Sequence, residues 1–186
     1  MTAADLRRLA QRMRVPLGFV LAPLFLVFAK PTLISLFSGA VIAAVGLLIR
    51  AWASGHLRKM AELTTSGPYA HTRNPLYLGT FLLVAGVAMA GGVWWLAIAI
   101  AAAYLVVYVP VMIAEVETMR TLFPEAYDDW ARAVPLFAPR LTPGCSAAAG
   151  KVRFDASLYL RYREYRAAIG LLTVFGILAA KMVVMP

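Results

Sequence analysis

Apolar stretches long enough to cross a bilayer, joined by short polar connections, restrict the fold of this chain more than any other feature. They run over Val15–Ala29, Thr32–Ala53, Leu76–Gly91, Val93–Ile113 and Ala167–Val184. A membrane's hydrocarbon core is about 30 Å thick and takes about 20 helical residues to cross. With 62% hydrophobic and 15% charged residues among 186, the chain has more apolar surface than a soluble core of that length can bury. The expected fold is an all-α integral membrane protein with about five transmembrane helices, forming one membrane domain over residues 1–186. The first stretch is short and contains Pro23, so a kinked or partial span is expected there. Its basic N-terminal flank is that of a signal peptide, but no small-residue cleavage site follows.

Charge orients these helices. Arg7, Arg8, Arg12 and Arg14 precede the first stretch, and Arg50 at the inner end of the second joins Arg58, Lys59 and Arg73, which lie between it and the third. Eight more basic residues lie between the fourth and fifth, leaving Lys30 and Lys181 on the other side. The positive-inside rule then sets a cytoplasmic N-terminus, in what is expected to be a bacterial inner (plasma) membrane. The acidic residues share the inner side, so polar chemistry is expected at the cytoplasmic face. A net charge of +9 does not imply nucleic acid here, because the basic residues flank membrane segments where anionic headgroups account for them. "RYREYR", Arg161–Arg166, reads as an interfacial collar before the last helix. Cys145 is the single cysteine and His56 and His71 are the only histidines, so no metal site is expected. No G-x-G-x-x-G or P-loop pattern occurs, and no Rossmann domain is expected.

Polar side chains concentrate in "GPYAHTRNPLYLG", Gly67–Gly79. Gly67-Pro68 is turn chemistry, and Asn74-Pro75 sets an extended residue before a helix start. The free N–H groups of that helix would face the cytoplasm with the positive end of its dipole, which suits a carboxylate or phosphate. Arg73 adds a planar donor, and Tyr69 and Tyr77 add aromatic walls. Downstream, Glu115–Pro139 reads as a cytoplasmic continuation of the fourth helix and a short amphipathic helix, separated by a turn at Pro124. Leu141–Gly150 reads as a flexible join to the last helix.

These two blocks resemble the signature of the integral membrane methyltransferases related to isoprenylcysteine carboxyl methyltransferase and phospholipid N-methyltransferase. The family pattern is a G-x-Y turn, then R-H-P-x-Y-x-G opening a helix. It appears here as Gly67-Pro68-Tyr69 and Arg73-Asn74-Pro75-Leu76-Tyr77-Leu78-Gly79. After a helical hairpin the family has E-E-x-x-L, F-G, a tyrosine and V-P. Here these are Glu115-Val116-Glu117-Thr118-Met119, Phe123-Pro124, Tyr127 and Val134-Pro135. The resemblance covers residues 63–139 and leaves out the last helix. Asn74 stands where the family has histidine, Val116 for the second glutamate and Pro124 for glycine. Asparagine can donate and accept hydrogen bonds but cannot transfer protons near neutral pH. Val111 and Met112 stand where members that methylate prenylcysteine carry an arginine, which argues against that acceptor.

The resemblance implies S-adenosyl-L-methionine as cofactor, held in a cytoplasmic pocket without a Rossmann domain. Arg73 would meet its carboxylate and Glu115 its ammonium or sulfonium, while Tyr127, Trp130 and Leu136 would cover the adenine. Gly67, Tyr69, Asn74, Tyr77 and Gly79 complete the implied cofactor-binding set, with Glu115 and Arg73 as the catalytic pair. Glu117 lies about 200° around a helix from Glu115, so one pocket takes only one of them. Small residues at Gly79, Gly86 and Ala90 are expected to serve close helix packing. The implied acceptor is a lipid-like or small amphipathic molecule, with membrane lipids as partners. An NADPH-dependent sterol-type reductase and a non-catalytic lipid-binding subunit are the alternatives.

Overall fold

The computed structural model describes residues 21–58, 62–144 and 153–184. Arg7, Arg8, Arg12, Arg14, Lys59, Cys145 and Lys151 lie outside the described residues, as do the start of the first apolar stretch and most of the join after Gly144. Among the described residues every regular element is helical. Residues 21–28 are followed by α1 (Leu33–Ser54), a 3-10 turn (Gly67–Ala70), α2 (Pro75–Ala90), α3 (Trp94–Leu122), α4 (Pro124–Ala133), α5 (Ala156–Arg161) and α6 (Tyr165–Val184). The protein is an all-α membrane protein. Of the described helices, α1, α3 and α6 are long and apolar enough to cross a bilayer, so the expected five spans are not shown. The third stretch falls short because Pro75 starts α2 and Gly91-Gly92 ends it after 16 residues. Such a helix rises about 24 Å against a core of about 30 Å.

Why α1 begins where it does is visible in its cap. The Thr32 hydroxyl accepts from Ser35 N at 3.1 Å and the Ser35 hydroxyl accepts from Thr32 N at 2.9 Å, a reciprocal capping box. α1 then packs antiparallel on α2, with Gly39 against Gly86 and Gly46 against Gly79. A Cβ added at Gly46 would sit 2.6 Å from the Gly79 carbonyl, and one at Gly86 would sit 2.6 Å from Ala43 N. Backbones that close leave no room for larger residues, and lipid-embedded helices gain their association from such contact. Gly92, at φ +72, closes the α2–α3 turn against the Lys30 carbonyl, while Lys30 N donates to Gly91 O at 2.7 Å. Lys181 reaches the same end of the bundle and donates to Val27 O at 2.9 Å. Lys30 and Lys181, set apart from the other cations in the sequence, therefore do gather at one end.

At the opposite end α3 runs on past the apolar stretch to Leu122, and α4 starts directly with Pro124. Tyr127 and Trp130, three positions apart on α4, are buried against Ala53, Tyr69 and Val134. The collar before the last helix folds differently from a simple anchor. Asp155 caps α5 by accepting from Ser157 N at 2.8 Å, and its own N–H donates to Gly55 O at 2.9 Å. Tyr162 donates to Leu57 O at 3.1 Å, and the chain reverses at Arg163 with φ 56. That reversal turns Glu164 inward, towards α1.

Candidate active site

The two motif blocks are stitched together by backbone bonds. Arg73 N donates to Pro135 O at 2.9 Å, Arg140 N to His71 O at 3.0 Å, and Gly144 N to Ala70 O at 2.8 Å. Side chains complete the join. Thr72 Oγ1 donates to Phe137 O at 2.9 Å, Asn74 Nδ2 to Leu136 O at 2.9 Å, and Trp130 Nε1 to Tyr69 O at 3.1 Å. The loop that opens α2 is thus held from below by the segment after α4, which explains why Val134-Pro135 belongs to the motif. Buried backbone groups need partners, and this loop has no sheet to supply them.

Above this brace lies a cavity of about 620 Å³, within the range of small-molecule sites. Its walls come from the end of α1, the segment between α1 and α2, the start of α2, α3, α4 and the residue after the Arg163 turn. Arg73 donates from its Nη1 to the Tyr127 hydroxyl at 3.0 Å, with its Cζ 5.8 Å from the Tyr127 ring centroid. The Arg73 Nε is buried and has no hydrogen-bond partner, an unusual state for a guanidinium nitrogen. Across the cavity Tyr77 donates to Glu115 Oε1 at 2.6 Å. Tyr77 is steadied in turn by Tyr108, 5.6 Å away between ring centroids, which stacks on Tyr104 at 4.2 Å. Burial chiefly, then the charge of Glu115, pushes the Tyr69 hydroxyl well above the usual phenol range. Tyr69 therefore stays protonated and is a neutral wall.

Of the residues named from the sequence, Tyr69, Arg73, Asn74, Tyr77, Glu115 and Tyr127 line this cavity, as does Trp130. Gly67, Gly79 and Leu136 do not. Gly67 sits at φ +59, and a Cβ there would be 2.8 Å from the His56 ring, so its part is the turn itself. Gly79 makes room for Arg50, whose Cγ would lie 2.6 Å from an added Cβ. Leu136 contributes its carbonyl to Asn74 rather than a side chain to the cavity. Glu117 and His71 lie outside the lining; His71 Nδ1 shares a hydrogen bond with Arg140 O at 2.8 Å.

The sequence did not single out Arg50 and Glu164, which also line the cavity. Arg50 Nη2 donates to Glu164 Oε2 at 2.7 Å and Oε1 at 2.9 Å, and its Nε donates to Oε2 at 3.0 Å. Its Nη1 donates to the Thr80 hydroxyl and to Leu76 O. Two signals were available. Arg50 is a charge inside an apolar stretch, as Lys181 is in another, and Glu164 is the one acid inside a basic collar.

An all-α membrane protein whose cavity, with Arg73 and Glu115 in its lining, opens where a loop-to-helix motif meets a helical insert is the class that fold and site define. The chain belongs to the phospholipid methyltransferase family, whose model matches residues 31–126. That family points to methyl transfer on a membrane substrate. The match includes Arg73, Asn74, Tyr77 and Glu115 but not Tyr127, Trp130 or Glu164. Among curated relatives, the chain is similar to the nickel-cobalt-cadmium resistance protein NccN of Alcaligenes xylosoxydans xylosoxydans, 37% identical over 56% of this chain and 48% of that protein. It is also similar to the cobalt-zinc-cadmium resistance protein CzcN of Cupriavidus metallidurans, 32% identical over 69% of this chain and 62% of that protein. The chain thus spans less than two thirds of either relative. No solved structure matches it.

Proposed function

We propose that the protein transfers a methyl group from S-adenosylmethionine to a lipid-like or small amphipathic acceptor at the cytoplasmic face of the membrane. The observation that carries this reading is one cavity presenting Arg73, with its buried and unsatisfied Nε, together with Glu115, fixed by Tyr77. The donor has a carboxylate, an ammonium and a flat purine, and the lining offers a match to each. Arg73 suits the carboxylate, because a guanidinium with a free edge binds it through charge-assisted hydrogen bonds. Glu115 suits the cationic end. Tyr69, Tyr127 and Trp130 supply flat apolar surface. When bound, the donor supplies a methyl group on positively charged sulfur, so the protein's tasks are alignment and exclusion of water.

Glu115 is the carboxylate that would hold the proton given up by an amine, hydroxyl or thiol acceptor, at the oxygen not bonded to Tyr77. Asn74 has no such part. Its amide braces the loop against Leu136 and so keeps Arg73 in register. The names of the two relatives supply a setting, resistance to nickel, cobalt, zinc or cadmium, in which a modified membrane component would act. The test is calorimetry on detergent-purified protein, followed by labelled methyl transfer to a total lipid extract. Saturable S-adenosylhomocysteine binding with label in a lipid is the expected result. Saturable NADPH binding in its place would favour a reductase, and binding of neither cofactor a lipid-binding subunit.

A further inference from the structure

Two hollows in this protein share a wall. The second, of about 180 Å³, lies between α1 and the α5–α6 turn. Leu47, Leu48, Ala51, Tyr159 and Ala168 line it, and the two residues that line both hollows are Arg50 and Glu164. The ion pair is therefore shared between the larger cavity, which also holds Arg73 and Glu115, and a small apolar cleft. The cleft faces the bilayer side: Leu48 is 70% exposed on a helix long and apolar enough to span.

A partition between apolar helices would be closed as well, and at less desolvation cost, by two apolar side chains. An ion pair has a property that they lack, since each partner can exchange the other for a charged ligand. We propose that the cleft is a lateral port that takes one acyl chain of the acceptor, a zwitterionic membrane lipid, with Arg50 and Glu164 as its gate. This rests on the methyl-transfer reading above. As the headgroup passes, its phosphate takes the place of Glu164 on Arg50 while its ammonium takes the place of Arg50 on Glu164. Neither ion is left unpaired in a poorly solvated setting, which is the condition for opening such a pair. Glu164 lies beyond the residues that the family model matches, so the last helical hairpin adds the port to the shared core.

The test uses the full chain in phosphatidylglycerol nanodiscs, whose anionic lipid should not occupy the port, with a phosphatidylethanolamine carrying a photoactivatable group in one acyl chain. Crosslinks should saturate with probe and map to the 47–51 and 159–168 segments. Unlabelled phosphatidylethanolamine should compete them away, and an anionic lipid with the same chains should not. Ala168→Trp and Leu47→Trp, which fill the cleft, should each cut the crosslinking about tenfold. S-adenosylhomocysteine affinity, measured on the same samples, should not change in Ala168→Trp. Crosslinking that rises linearly with probe marks bystander lipid and overturns the port, as does saturable crosslinking that both tryptophan variants leave intact. Donor binding together with either of those results refutes the port alone, whereas absence of donor binding from the parent protein refutes the methyl-transfer reading.

Discussion

Removing Glu164 tests whether the pairing across the bundle carries stability as well as shape. Glu164→Ala deletes three contacts of 2.7–3.0 Å and leaves the Arg50 guanidinium with the Thr80 hydroxyl and the Leu76 carbonyl. The two side chains are 21% and 12% exposed. That lies nearer the buried limit, where removing one partner costs about 3–5 kcal/mol, than the surface limit of below about 1 kcal/mol. Allowing for the residual exposure and the two remaining acceptors, a loss of about 2–3 kcal/mol is expected. For a chain of this size that lowers the unfolding midpoint by roughly 4–12 °C. Arg50→Met alone should cost at least as much, since it strands a carboxylate. The double variant Arg50→Met/Glu164→Leu should return to within about 1 kcal/mol of the parent, because apolar residues of similar size fill the space without desolvating charge. Unfolding followed by tryptophan fluorescence in one detergent compares the parent, Arg50→Met, Glu164→Leu and the double variant as one cycle, with Glu164→Ala beside them. Two losses that simply add, with a coupling below about 0.5 kcal/mol, would refute the reasoning.

The donor site gives a second prediction: Arg73→Ala and Glu115→Ala should each weaken S-adenosylhomocysteine binding by about 1.5–3 kcal/mol, and unchanged calorimetric affinity in both would remove them from the site. Asn74→Leu strips the amide donor from the Leu136 carbonyl, at about 1–3 kcal/mol, and should lose donor binding and activity. Asn74→His should keep binding and much of the activity, whereas an acidic limb near pH ~6.5 in its rate profile would show that a histidine here moves protons; full activity in Asn74→Leu would show that the brace is dispensable. Cys145 should resist a membrane-impermeant maleimide in intact cells until they are permeabilised, and labelling without permeabilisation would reverse the orientation. Asp155 is held below the usual carboxylate range by the Ser157 hydroxyl and then the Ser157 amide. Its folded-state pKa is depressed, so its cap on α5 is present above the ordinary aspartate pKa and lost as pH falls through the lower folded value. Amide protection over α5 should drop in that window, and Asp155→Asn should flatten the dependence.

Much of this protein was decided by patterns that act along the chain. Apolar runs set the helices, Thr32 and Pro75 set where two of them begin, and Gly91-Gly92 sets where one ends, because capping and turn chemistry depend on neighbours a few residues away. The separation of Glu115 from Glu117 also followed from helical period, and Glu115 is the one that faces the cavity. Folding decided what neighbours in sequence cannot. Gly79, read both with the cofactor set and as a close-packing residue, serves the contact with α1; which helix it meets is set by folding, because the distance of closest approach belongs to two helices and not to one. Leu136 works through its carbonyl, which no side-chain pattern reveals. Arg50 and Glu164, 114 positions apart, meet only because the glycine-lined face of α1 lies close on α2 and the chain reverses at Arg163. A charge within an apolar stretch tells of a partner, but which partner it finds is set by the packing of the whole bundle.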